Sequence, residues 1–458
     1  MSFTATTRRI LLLLALSATV ACSPSGSASP SSSAGPSDPS AASSAPSPAS
    51  SSPSGSLVLV GRIVTMDEPA VAEALLIEDG TVTAVGTRDE VLALAGDQVP
   101  VMDIGQNVAY PGFIDAHSHW IGDRDYYGLD SASEAMQAAL ERGWTSIAEL
   151  WVNQERLTEL ETLAADDALP LRVDAYLALN EPAVDGDHFG DWYADREPGP
   201  ITDWLRIQGL KVHLDHGVDL LWEAAELNAT ILAANEAGWQ VAIHAITTEA
   251  HEMALDALEA ALGPSGPNPL HHRIEHAIQV TDAQLARMVA MQLPVVIHLD
   301  TAVADWLGDP HDLTDLGGET AWLTRWQDFV DAGLHVAGAT DAPWIFPDFI
   351  MTDDIGRPVD QIAGGMDPIG RVYREPPEWM AAQLLTAEEG LRAVTLDAAF
   401  ALGDEARRGH LATGTLGDVT ILSGDVTTAT PDEIRAMTVI ATIVNGVIAF
   451  CTEPGACP

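Results

Sequence analysis

At 458 residues the chain can bury a large core and hold more than one domain. It carries 67 acidic against 21 basic residues, a formal net charge of −46. That excludes nucleic acid and acidic surfaces as partners and leaves solubility as the plain reason for the acidity.

The chain opens on an export signal over residues 1–21. Arg8-Arg9 supplies the charged start, and residues 10–16 form an apolar run too short to span a bilayer. Thr19-Val20-Ala21-Cys22 resembles a bacterial lipobox, which makes Cys22 the first mature residue and the lipidation site. Thr7-Arg8-Arg9 also partly matches a twin-arginine signal, so two export routes stay open. Residues 22–55 are almost wholly Ser, Pro, Ala and Gly and cannot bury enough apolar surface to offset their ordering entropy. They form a disordered tether. The expected location is the outer face of the cell membrane, reached only through the N-terminal lipid.

Residues 56–109 read as short strands at 57–60, 62–65, 74–78 and 81–85, with Asp79-Gly80 as a two-residue hairpin. The other end of the chain mirrors this. Residues 418–422 and 438–444 are strand-like, and Asn445-Gly446 turns the chain into 447–450. One small β-sandwich domain built from both ends, 56–109 plus 406–458, follows. Cys451 and Cys457, six apart in its tail, are close enough to pair in an oxidising compartment.

Between these ends lies Tyr110-Pro111-Gly112-Phe113-Ile114-Asp115-Ala116-His117-Ser118-His119-Trp120. Alternate residues of a strand face one side. His117 and His119 therefore point the same way at a strand's end, where two imidazoles can grip one cation. From His117 the gaps to Lys211, His244, His276 and Asp341 are 94, 33, 32 and 65 residues. With about 32 residues per βα unit, these positions fall on strands 1, 4, 5, 6 and 8 of an eight-unit barrel. Strand 2 ends near 143–150, strand 3 covers 171–180 and strand 7 covers 293–299. The fold class is α/β: a (β/α)8 TIM barrel over 110–405 beside the small β-domain. Active sites of such barrels lie at the C-terminal ends of the strands, where each of these residues stands.

Of the 21 basic residues only Lys211 is lysine. Arginine is always charged, whereas a buried lysine can lose its proton and react.

The stretch from Tyr110 to Trp120 resembles the first-strand signature of the amidohydrolase superfamily. Arg273-Ile274-Glu275-His276 and the segments around His244 and Asp341 are similar to its YtcJ-like branch. The resemblance implies a metal-dependent hydrolase of a non-peptide C–N bond in an amide, formamide or cyclic amide. It implies two divalent metal ions, zinc in the first place. His117 and His119 would hold one, His244 and His276 the other. Lys211, carboxylated by carbon dioxide, would bridge them, and Asp341 would be both ligand and general base for a metal-activated hydroxide. His298, His213, Trp120 and Trp344 are candidates for contact with a small-molecule substrate. Asp115, one layer below His117, is a support. A mononuclear deaminase of aminated heterocycles on the same barrel is the nearest alternative. A lipid-anchored binding protein without catalysis is the alternative of another class. Two departures stand out. Gly417 replaces the Ala usual in the closing segment, and only a short loop follows Trp120.

Overall fold

A computed structural model describes residues 54–299, 322–343, 356–367, 380–452 and 457. The signal, nearly all of the tether with Cys22, and Trp344 lie outside the described residues. The strands run in chain order as β1 (Leu57–Val64), β2 (Val71–Glu78), β3 (Thr81–Gly86), β4 (Val101–Pro111), β5 (Phe113–Ser118), β6 (Trp144–Val152) and β7 (Arg172–Ala178). The two-residue β8 (Gly199–Pro200) backs onto β9 (Leu205–His213), and β10 (Asp215–His216) pairs with β11 (Asp219–Leu220). Then come β12 (Gln240–Ala245), β13 (Arg273–His276), β14 (Val295–Ile297), β15 (Val336–Gly338), β16 (Val419–Leu422), β17 (Val439–Val444) and β18 (Val447–Cys451).

Eight strands, β5, β6, β7, β9, β12, β13, β14 and β15, pair side by side in parallel. They are the eight expected from the spacing. Every residue of β5 and β7 is buried, as in a parallel sheet covered on both faces. Three connecting helices, Gln154–Ala165, Thr248–Leu262 and Asp282–Met291, start at side-chain caps. Asn153, Thr247 and Thr281 each accept the N–H three residues on, which turns the chain away just past a strand's end. The sheet nearly closes at that same end. Asp341 N–H donates to His117 O at 2.8 Å, and His119 N–H donates to Ala342 O at 2.9 Å. The barrel mouth is thus stitched through the candidate residues themselves.

Both chain ends form one seven-stranded sheet, ordered β18-β17-β16-β4-β1-β2-β3. The hairpins at Asp79-Gly80 and Asn445-Gly446 have positive φ at both turn residues, the twist that suits two-residue hairpins. The sheet folds over on itself. Leu59, Leu75, Ile77 and Val82 from one half share a core with Val419, Ile421 and Ile443 from the other. Gly417 N–H reaches Gly80 O at 2.7 Å across the fold. A Cβ at Gly417 would stand 2.5 Å from Ile77 Cγ2, which accounts for glycine there. Two buried ion pairs fasten this region to the barrel base: Arg172 with Asp418 (2.6 Å) and Arg408 with Asp174 (2.8 Å). A disulfide joins Cys451 to Cys457.

Candidate metal centre

His117 ends β5 and is buried. Its Nε2 lies 3.3 Å from Asp341 Oδ1, and His119 Nε2 lies 3.3 Å from the same oxygen. The three ligand atoms fall within 4.8 Å of one another. Asp341 adopts φ +50°, a left-handed backbone that Asp tolerates better than bulkier residues. Asp115 fixes this loop, accepting Thr340 N–H at 2.9 Å and the Thr340 hydroxyl at 2.6 Å. Burial pushes the Asp115 carboxyl up to about 6.

Ring nitrogens of His117, His276 and His298 likewise lie within 4.8 Å of one another. The His244 ring lies 4.3 Å from that of His276 and 5.1 Å from that of His213, centroid to centroid. Its Nε2 stands 3.3 Å from Asp215 Oδ1. Lys211 on β9 is fully buried, and its Nζ has no hydrogen-bond partner among the described residues. Burial lowers its pKa to about 8, opposed by the negative charges of Glu275 and Asp341. Burial also lowers the pKa values of His117, His276 and His298, the last to about 4, which favours the neutral ring that metal ligation requires of His117 and His276.

Three carboxylates in the supporting layer were not singled out from the sequence. Glu275, wholly buried, takes His117 Nδ1 at 2.6 Å and Arg273 Nε at 2.7 Å. Burial alone would raise its pKa; the Arg273 charge and the His117 bond hold it at about 2. An extended strand sends neighbours to opposite faces, which hides Glu275 behind His276 in a reading by alternation. The backbone of His276 has φ +72°, and this break lets both side chains reach the site. Glu149 accepts Gly122 N–H at 2.7 Å and Ile121 N–H at 3.1 Å and is pushed up to about 7 by burial. Asp215 accepts Thr247 N–H and the Thr247 hydroxyl, each at 2.8 Å. Their signal in the sequence is only position: each lies at the end of a barrel strand or just beyond.

Two candidates for substrate contact have other surroundings. Trp120 is fully buried, donates its indole N–H to Asp115 at 3.0 Å and stacks on Tyr127. It supports the loop instead of lining a pocket, because Asp115 below it offers a partner for the indole. His298 is 3% exposed, with both ring nitrogens engaged by protein atoms. His213 is buried beside His244, its carbonyl held by Asn180 Nδ2 at 2.9 Å.

Imidazoles and a carboxylate converge here, and a buried amine without a partner among the described residues lies within range of the same charges. This donor set fits divalent cations bound through nitrogen and oxygen.

The sequence pattern of the amidohydrolase family matches residues 123–450. The YtcJ protein of Bacillus subtilis (strain 168) is 28% identical over 258 residues, 55% of this chain and 43% of its own. The N-substituted formamide deformylase of Arthrobacter pascens is 27% identical over 267 residues, 56% of this chain and 44% of its own. The chain thus spans under half the length of these curated relatives. An uncharacterized metal-dependent hydrolase from Pyrococcus horikoshii OT3 superposes with a TM-score of 0.65 at 17% identity, over 82% of this chain and 99% of that one, and shares the fold. With a family pattern over residues 123–450, which takes in seven of the eight barrel strands together with His244, His276 and Asp341, the chain belongs to the amidohydrolase family.

Proposed function

We propose that the chain hydrolyses a non-peptide C–N bond in an amide, formamide or cyclic amide, using two divalent cations, zinc in the first place. The observation that carries this reading is Lys211 Nζ, buried beside the histidine cluster with no partner among the described residues. A buried amine left unsatisfied costs free energy unless something else occupies the site. Carbon dioxide answers that need. The neutral amine adds to its carbon and loses one proton, giving a carbamate anion that can bridge two cations. His117, His119 and Asp341 would hold one cation, and His244 and His276 the other. When bound, such ions polarise a carbonyl and lower the pKa of water from ~15.7 towards ~7.

The chain's own groups do the rest. Asp341 stands against both His117 and His119, where a carboxylate can accept a proton from the attacking water and deliver it to the departing nitrogen. His213 forms part of the wall beside His244. The likeness to an N-substituted formamide deformylase supports formamides as the first substrates to try. Export and lipid attachment through Cys22 belong to the same proposal and place the enzyme outside the cytoplasm.

The test is amine release from N-substituted formamides, amides and cyclic amides by the full chain, prepared with zinc and bicarbonate. Two ions per chain and turnover lost on chelation are expected. Turnover that survives complete metal removal would sink the proposal. One tightly bound ion, with ammonia released from aminated heterocycles, would replace it with the mononuclear deaminase.

A further inference from the structure

A neutral imidazole donates through one ring nitrogen and accepts through the other. His298 follows β14 with Nδ1 3.0 Å from Ala339 O and Nε2 2.8 Å from His276 Nδ1. A backbone carbonyl only accepts, so Nδ1 of His298 carries the hydrogen. Nε2 of the neutral ring then holds the lone pair and must accept. His276 therefore carries its hydrogen on Nδ1, and its own Nε2 keeps a free lone pair.

We propose that His298 is a positioning residue: it passes the tautomer set by Ala339 O on to His276 and so presents His276 Nε2 as the metal-binding nitrogen. The role rests on the metal centre proposed above. It has a counterpart across the site. His117 gives Nδ1 to Glu275, and its Nε2 faces Asp341. One ligand is thus braced by a carboxylate and the other by a neutral ring. A carboxylate raises the basicity of its histidine more, so the cation on His276 is the more weakly held of the two. Ala339 also lies two residues before Asp341, so one hydrogen-bond chain ties β13, β14 and the loop after β15 together at the mouth.

The experiment is histidine 15N NMR of the full chain without metal, followed by zinc competition against a chelator. In the wild type the couplings should place hydrogen on Nδ1 of both His298 and His276. His298→Leu should weaken binding of the second zinc by about 10–100-fold. His298→Gln brings an amide oxygen to the place of Nε2 and should restore most of that affinity. His298→Asn can serve only Ala339 and should not. Hydrogen on Nε2 of His276 in the wild type, or equal zinc affinity in the wild type and the Leu variant, would overturn the proposal. A wild type that binds no zinc, yet shows the Nδ1 hydrogen on His276, would sink the metal centre and leave the hydrogen-bond chain standing.

Discussion

At the base of the barrel, Arg172 lays Nε and Nη2 on the two oxygens of Asp418, and Arg408 does the same to Asp174 through Nη1 and Nη2. At the mouth, Lys211 is buried as deeply with nothing to bond among the described residues, and Glu149 is buried on the backbone N–H groups of Ile121 and Gly122, with His119 and Arg156 near enough to act on it only through their charge. Both ends bury charge and both hold a buried pair, Arg273 with Glu275 at the mouth, but only the mouth also buries a lysine with no bonding partner among the described residues. A buried ion pair with good geometry is a fastening; a buried charge without one needs a missing partner. The difference separates the scaffold from the site without reference to any relative.

The sharpest way to break this comparison is at Asp341. Asp341→Asn keeps the shape and one oxygen but removes the proton acceptor. Turnover should fall by about 10²–10⁴-fold, the range for a lost general base, while most of the metal stays bound. Steady-state kinetics beside metal analysis would check both. Full loss of metal would make Asp341 a structural ligand only. Next comes Lys211→Arg. A guanidinium is permanently charged and forms no carbamate under these conditions. Metal content should drop from two ions to at most one, with turnover falling alongside. Two ions in the variant would show that the bridge needs no carbamate.

The base should answer differently. Arg408→Met leaves Asp174 buried and unpaired, which costs about 3–5 kcal/mol of stability. Turnover per folded molecule should stay at the wild-type value, since among the described residues the Arg408 guanidinium bonds to Ser146 and Asp174 at the strand bases and to Asp404. Denaturant unfolding and kinetics on the surviving protein would show it. A fall in turnover without a fall in stability would mean that the base also serves the site.

Much of this arrangement is legible in the sequence, and the gaps have physical reasons. A repeat of about 32 residues is a local property of βα units, so all eight barrel strands can be counted from residue spacing. His117, His119 and Lys211 declare themselves by residue type and position. β4 does not. It pairs in parallel with β1 and antiparallel with β16, partners 43–46 and 308–314 residues away, and its burial pattern breaks near Gly105. Glu275 is hidden because alternation assigns it to the wrong face until His276 takes its left-handed backbone. The partners of His298 come from strands 6 and 8, and no spacing along one strand predicts that meeting. Trp120 looks like a wall because aromatic residues often line pockets; the Asp115 acceptor beneath it appears only in three dimensions.

The smallest expected effect tests the mouth by pH. Glu149 has a folded pKa of about 7, above the ~4.3 of an exposed glutamate. Between those values the folded chain keeps a proton that the unfolded chain has lost. Ionised Glu149 therefore costs stability above pH 7, and the cost fades as the pH falls towards ~4.3. Fully expressed, it is on the order of 3 kcal/mol in metal-free protein. Glu149→Gln imitates the protonated carboxyl at every pH, including any hydrogen bond that form loses to Gly122 or Ile121. The two proteins should be about equally stable near pH 4, and the variant should pull steadily ahead as the pH rises to 8. Taking the difference between them removes the titration of Asp115 and the other shared groups. Parallel curves for wild type and Glu149→Gln would mean that water reaches the mouth carboxylate, and the contrast between the two ends would then rest on Lys211 alone.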